Sequence, residues 1–287
     1  DWYLAANLGG EERLDGHLLP GLTPTGVPQD LRGSVLTFQY NNFHELAQLV
    51  QKNDIGVIKM EVSRNMPPQD GFLGKVRKLA DENGIVLVFD ECTSGFRQTF
   101  GGLHILYDVE PDIAIFGKAL GNGYAITAVI GKKDIMEAAQ NTFISSTFWT
   151  ERIGPVAALK TLEVMQREKS WDVITKIGQS VSTRWQQLAA KHELPITVNG
   201  LSSMAGFSFP YEDMLKYKTL ITQEMLKKGF LAGTSLYACI EHTPDIIDAY
   251  LAALAPLFTL VKECEMGRDI DTLLDGPVCH SGFQRLN

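Results

Sequence analysis

Apolar and polar positions along this chain change period in an order that predicts its architecture. The pattern gives a strand over residues 35–39, an amphipathic helix over 43–52, a strand over 56–62, a helix over 71–83 that Gly84 stops, and a strand over 85–89. Strand, helix, strand, helix, strand implies a parallel sheet with crossover helices, which strands at 113–116 and 125–130 extend. From Gly154 the period turns helical. Helices are expected over 154–169 and 171–192, the second carrying Val173, Ile174, Ile177, Val181, Trp185 and Leu188 on one stripe. Strands near 196–198 and 205–209, a helix over 217–228 and a last helix over 244–264 make a smaller α+β block. Residues 1–33 follow no period and are rich in Gly, Pro and Leu, which predicts a long loop with at most short structure, serving a site or an interface. Two domains are expected, 1–160 and 161–287, with the boundary near the helix of residues 154–169.

Composition narrows the class of protein. A chain of 287 residues with 45% apolar and 21% charged residues is ordinary for a globular enzyme. Its 26 Lys and Arg against 34 Asp and Glu give a net charge of −8, which argues against nucleic acid as a partner, since sequence-independent binding needs phosphate neutralisation. No apolar run is expected to reach the ~20 residues of a membrane span, and the first residues, Asp1-Trp2-Tyr3-Leu4, do not read as a signal peptide. Cys92, Cys239, Cys264 and Cys279 are scattered, without Cys-x-x-Cys spacing, and the six histidines are equally dispersed. Free thiols in a cytoplasmic setting and no metal site are the expectation.

Two junctions carry chemistry. Asp90 closes the apolar run Ile85-Val86-Leu87-Val88-Phe89, and Lys118 follows a second run, Ile113-Ala114-Ile115-Phe116-Gly117, before Ala119-Leu120-Gly121-Asn122-Gly123. Taken singly, Asp90 could cap the next turn and Lys118 could be one more solvated lysine. Together they suit pyridoxal 5'-phosphate (PLP). The lysine would form a Schiff base with its aldehyde, and the carboxylate would keep the ring nitrogen protonated and the ring an electron sink. In open α/β sheets, ligands lie beyond the carboxyl ends of strands, where both groups are expected.

Asp90-Glu91-Cys92-Thr93-Ser94-Gly95-Phe96-Arg97, then Pro111-Asp112, then Gly117-Lys118, resemble the signature of the class III PLP-dependent aminotransferases. The Gly-Phe-Arg ending is most similar to the glutamate-1-semialdehyde 2,1-aminomutase-like branch. Glu61-Val62-Ser63-Arg64-Asn65-Met66 and Gly71-Phe72-Leu73 resemble upstream steps of that branch. The resemblance implies a PLP-dependent transferase of fold type I: an α/β large domain with a mostly parallel sheet flanked by helices, and a smaller C-terminal α+β domain. It further implies transfer of an amino group between a small-molecule amino donor and a carbonyl acceptor. Lys118 would serve as Schiff-base residue and then as proton-moving base, Asp90 as partner of the ring nitrogen, and Cys92 as a contact to the ring face. Thr147 matches a threonine that reaches the cofactor phosphate of the neighbouring subunit, which implies a homodimer with shared active sites.

Two departures qualify these implications. Thr150-Glu151-Arg152 stands where the family commonly has Gly-Asn-Pro, which suggests a different substrate or local interface. The family also places a phosphate cradle and a ring-stacking aromatic upstream of the stretch that Asp1-Trp2-Tyr3 resembles, so the PLP-binding domain is expected to be incomplete at its N-terminus. An aminomutase, and a non-catalytic homologue that does not retain PLP, are the alternative functions. A nicotinamide-binding domain is disfavoured, because no Gly-x-Gly-x-x-Gly follows a strand. Arg13, Arg32, Arg64, Arg97 and Arg152 are the candidates for binding a substrate carboxylate.

Overall fold

A computed structural model describes residues 2–15, 21–63, 65–147 and 150–280. The chain forms two compact units, one of Asp1–Ile55 with Gly276–Asn287 and one of Gly56–Asp275.

In the first unit, short 3-10 turns at Leu4–Leu8, Glu11–Leu14 and Gln29–Leu31 replace regular structure, in keeping with the aperiodic sequence. Ala5, Leu8 and Val27 form a small apolar cluster with Leu31 and Val35 packed on it. Buried Asn7 organises the loops: its side-chain amide donates to the Leu22 carbonyl at 2.6 Å, and its Oδ1 accepts from the Leu14 amide at 3.0 Å. Helix α1, Phe43–Lys52, begins where the Asn42 side chain accepts from the Glu45 amide, leaving one fewer unsatisfied donor at the helix start. The strand expected over 35–39 does not form. Its alternating pattern suits a strand, but a strand also needs a neighbour to complete its ladder, and no described segment pairs with it.

The second unit contains a four-stranded sheet, β1 (Val57–Met60), β2 (Val86–Glu91), β3 (Ile113–Phe116) and β4 (Ala128–Gly131), in that spatial order. The pairs β1–β2 and β2–β3 are parallel, and β3–β4 is antiparallel. The reversal follows from the short connection between β3 and β4. A parallel crossover needs roughly a dozen residues or more, usually a helix, and residues 117–127 between these strands hold only the 3-10 turn Lys118–Leu120 and no α-helix. Helix α2, Phe72–Asn83, is bracketed by Gly71 and Gly84, both left-handed, and buries Phe72, Leu73, Val76 and Ala80. After the one-turn helix α3, Lys133–Met136, helix α4, Ile153–Glu168, sets Ala158 and Leu162 against Phe116 and Leu120.

Helix α5 (Ser170–Lys191), the hairpin β5 (Thr197–Leu201) and β6 (Met204–Ser208), α6 (Met214–Lys227) and α7 (Pro244–Glu265) share one aromatic core. Trp185 and Phe258 are fully buried there beside Phe207 and Phe209, and the indole N–H donates to Tyr250 at 3.0 Å. Helix α7 is long and apolar enough to cross a membrane, contrary to the expectation that no segment is. In the fold its Ile247, Leu251, Leu254, Leu257, Phe258 and Val261 face this core, so the apolar stripe is used in packing.

Asp112 ties the far end of the sheet together. Its carboxylate accepts from the Leu87 amide (2.7 Å), Arg77 of α2 (3.0 Å) and Lys132 beyond β4 (2.8 Å). Burial alone would raise its pKa, but the Lys132, Leu87 and Arg77 hydrogen bonds and the Arg77 charge hold it below its ordinary 3.8. The ionised form is the one bound, so the contribution is complete above about pH 4 and is lost as pH falls through the depressed value. Asp112→Asn is expected to lower stability by about 1–3 kcal/mol near neutral pH and to make stability fall less steeply on acidification, as measured by urea unfolding across that range.

Candidate active site

Strands β2 and β3 run side by side in the same direction, with Val88 opposite Ile113 and Glu91 opposite Phe116, so their carboxyl ends form one ledge. Asp90 is the penultimate residue of β2, and Lys118 follows β3 by two positions. Gly117 makes the approach possible: a Cβ there would meet Cys92 Sγ at 2.6 Å. Lys118 begins a short 3-10 turn at φ 33°, a left-handed conformation that costs a non-glycine residue about 1–2 kcal/mol. The turn closes at Gly121, where a Cβ would fall 2.1 Å from the Tyr124 carbonyl oxygen. A lysine held in such a conformation at a strand end is a strained position of the kind that gathers at functional sites.

The two groups converge on one dipeptide. Lys118 Nζ donates to Thr93 Oγ1 at 2.6 Å, while Asp90 Oδ1 accepts from the Cys92 amide at 3.1 Å. Asp90 Oδ2 pairs with Lys59 Nζ of β1 at 2.8 Å. The fold thus brings Asp90, Cys92 and Lys118 together. Thr147 is exposed on the stretch before α4, and none of these hydrogen bonds involves it; the next two residues, Phe148 and Trp149, lie outside the described residues.

The turn after β2 is anchored from behind. Alternation along β2 sends Glu91 to the side opposite Asp90, where it is wholly buried. It accepts from Ser94 Oγ, from the His104 amide (3.0 Å) and from His104 Nδ1 (2.9 Å). Burial pushes the Glu91 pKa up, but the hydrogen bonds of His104, Ser94 and the Leu103 amide outweigh it and hold the carboxyl below its ordinary value. The segment that contacts both Asp90 and Lys118 therefore starts from a fixed, ionised anchor. His104 is engaged in this anchor, in line with a structural role for that histidine.

Among the candidate arginines, Arg13, Arg32 and Arg152 are exposed, and Arg64 lies outside the described residues. Arg97 is half-buried. Its guanidinium lies 5.7 Å from the Tyr237 ring centroid, and its Nε has no partner among the described residues. Burial lowers its pKa, and Tyr237 opposes that shift.

Thr93 and Lys59 join the site only in the fold. Thr93 stands inside the motif that carries Asp90, and that position is its one signal in the sequence. Lys59 is a charge between Ile58 and Met60 in an apolar strand. Chemically, the ledge offers an amine able to bond a carbonyl carbon and, beside it, a carboxylate able to hold a protonated nitrogen.

The fold is that of the PLP-dependent transaminases. The chain aligns with the PLP internal aldimine form of the FumI protein of Sphingopyxis sp. MTA144 at a TM-score of 0.79 and 22% identity, covering 92% of this chain and 70% of that one. It aligns with a transaminase solved with PLP bound at 0.77 and 19%, covering 93% and 72%. Residues 39–249 match the model of the class-III aminotransferase family, and this chain belongs to that family. It is 33% identical over 255 residues to a 3-aminobutyryl-CoA aminotransferase of Cloacimonas acidaminovorans, covering 83% of this chain and 61% of the relative. It is 31% identical over 269 residues to a glutamate-1-semialdehyde 2,1-aminomutase of Ruminiclostridium cellulolyticum, covering 85% and 62%. The chain thus spans about three-fifths of the length of these curated relatives.

Proposed function

We propose that this chain serves PLP-dependent transfer of an amino group between a small-molecule amino donor and a carbonyl acceptor, with Lys118 as the residue that bonds the cofactor. The observation that carries the reading is the convergence of Lys118 and Asp90 on Cys92-Thr93 at the carboxyl ends of adjacent parallel strands. PLP, when bound, supplies an aldehyde carbon and an electron-withdrawing ring. The residues present fit that group at two points: an exposed amine, held by Thr93, for the aldehyde, and a carboxylate for the ring nitrogen. Asp90 would hold a proton at that nitrogen, and Lys118 Nζ would serve as the base that takes up and returns a proton at the substrate. Cys92 contributes an apolar contact beside Asp90.

Thr147 is assigned to the phosphate of the neighbouring subunit, and the active unit to a homodimer with shared active sites. Exposed Phe143, Ile144, Ile153, Val156 and Leu159 support this, since an apolar face of that kind marks an interaction surface. Residues 1–160 are assigned to cofactor binding and 161–287 to the small domain. Four free thiols suit a cytoplasmic setting. The relatives named as aminomutases favour a second reading, in which the amino group moves within one substrate using the same two residues.

The test is borohydride reduction of the chain loaded with PLP, followed by peptide mapping. A label on Lys118 is expected. A label confined to any other lysine removes Lys118 from this role.

A further inference from the structure

Strand β1 lies at the edge of the described sheet and reads Val57-Ile58-Lys59-Met60, with Ile58 and Met60 buried and Val57 and Lys59 exposed, so Lys59 stands on its open face. The register sets Lys59 opposite Val88, two residues before Asp90 on the same face of the sheet. From there its four-carbon stem carries the ammonium to the strand end, where Nζ lies 2.8 Å from Asp90 Oδ2. Asp90 Oδ1 is taken by the Cys92 amide. Both oxygens of the carboxylate are engaged, one of them by a full positive charge.

We propose, resting on the reading that Asp90 holds the ring nitrogen of PLP, that Lys59 shares Asp90 with that nitrogen and weakens the grip of the site on the protonated ring. A carboxylate has about four lone-pair sites, so it can accept from the ring nitrogen without releasing Lys59. The two cations then repel across one anion, and the ring meets a nearly neutral pair instead of a bare carboxylate. Lys59 acts through Asp90 and is therefore a positioning residue. Its ion pair is more than half exposed on the lysine side, and exposed pairs contribute little to stability, so removing the charge leaves the fold in place. The same weakness bounds the effect on the cofactor to about two- to fivefold.

Lys59→Met keeps the stem and removes the charge, whereas Lys59→Arg keeps both. PLP titration followed by absorption, with nitrogen NMR of ring-labelled PLP, reads the outcome. Lys59→Met is expected to bind PLP about two- to fivefold more tightly and to move the ring-nitrogen resonance toward its protonated position. Lys59→Arg should match the unaltered chain, and Lys59→Met should have no effect in an Asp90→Asn background. Without PLP, acylation of Lys59 should run several-fold faster in Asp90→Asn. Equal affinity and an unmoved ring resonance in Lys59→Met would overturn the role of Lys59 while leaving that of Asp90. If neither the unaltered chain nor Lys59→Met binds PLP, the reading beneath falls as well. Equal acylation with and without the Asp90 carboxylate would show that the pair does not form.

Discussion

Lys118→Ala is expected to abolish amino-group transfer, lowering the rate by about 10⁴-fold or more, because in the proposed function one residue supplies both the covalent attachment and the proton-moving base. The measurement is loss of the visible band of bound PLP when an amino donor is added. Fold is expected to be retained, since Lys118 is exposed and its replacement removes one side-chain hydrogen bond, that to Thr93 Oγ1. Alanine at φ 33° keeps the same backbone strain, so any change in melting temperature should be small. The variant also tests the shared site. Mixed with Thr147→Ala chains, it should recover part of the activity, because a heterodimer can place both defects in one site and leave the other intact. Full turnover by Lys118→Ala would remove the lysine from the chemistry. Absence of complementation after proven subunit exchange would place each site within a single chain.

Asp90→Ala is expected to leave PLP attached to Lys118 while transfer slows by about 10²–10³-fold, the range seen when one electrostatic stabiliser is removed from a site. The ring nitrogen loses the anion that keeps it protonated, and an unprotonated ring withdraws electrons poorly. The split between an attached cofactor and a slow reaction separates this outcome from misfolding. Asp90→Asn should share most of the defect, because the amide keeps a similar shape without the charge. Near-normal turnover in either variant would show that some other group governs the ring nitrogen.

Much of the local structure was legible in the residues. Gly84 marked the end of α2, and in the fold it adopts the left-handed conformation expected of a helix stop. The apolar runs that end near Asp90 and Gly117 became β2 and β3, and the helical stripe containing Val181 and Trp185 became α5. These signals are short in range: a period of two or of 3.6, a glycine with positive φ, and a charge at the end of an apolar run. The same run-ends brought the candidate site into view, because parallel strands that sit side by side share their carboxyl ends.

Contacts between distant segments were not legible in that way. The 35–39 stretch has a strand pattern but no described strand beside it, since pairing depends on a partner that its own sequence does not specify. Helix α7 has the composition of a membrane span, and only its packing against Trp185, Phe207 and Phe209 makes it a core helix. Pairing of Lys59 with Asp90, and the burial of Glu91 against Ser94 and His104, depend on strand register and on which face each residue occupies. The sequence by itself determined most of the elements, their order and the two strand-end groups proposed to carry the chemistry, because periodicity and glycine conformation are properties of neighbouring residues. The tertiary structure alone decided which segments meet, and so the antiparallel turn of β4, the anchoring of the Cys92-Thr93 segment and the cation held against Asp90, because each depends on residues far apart in the chain arriving at one place.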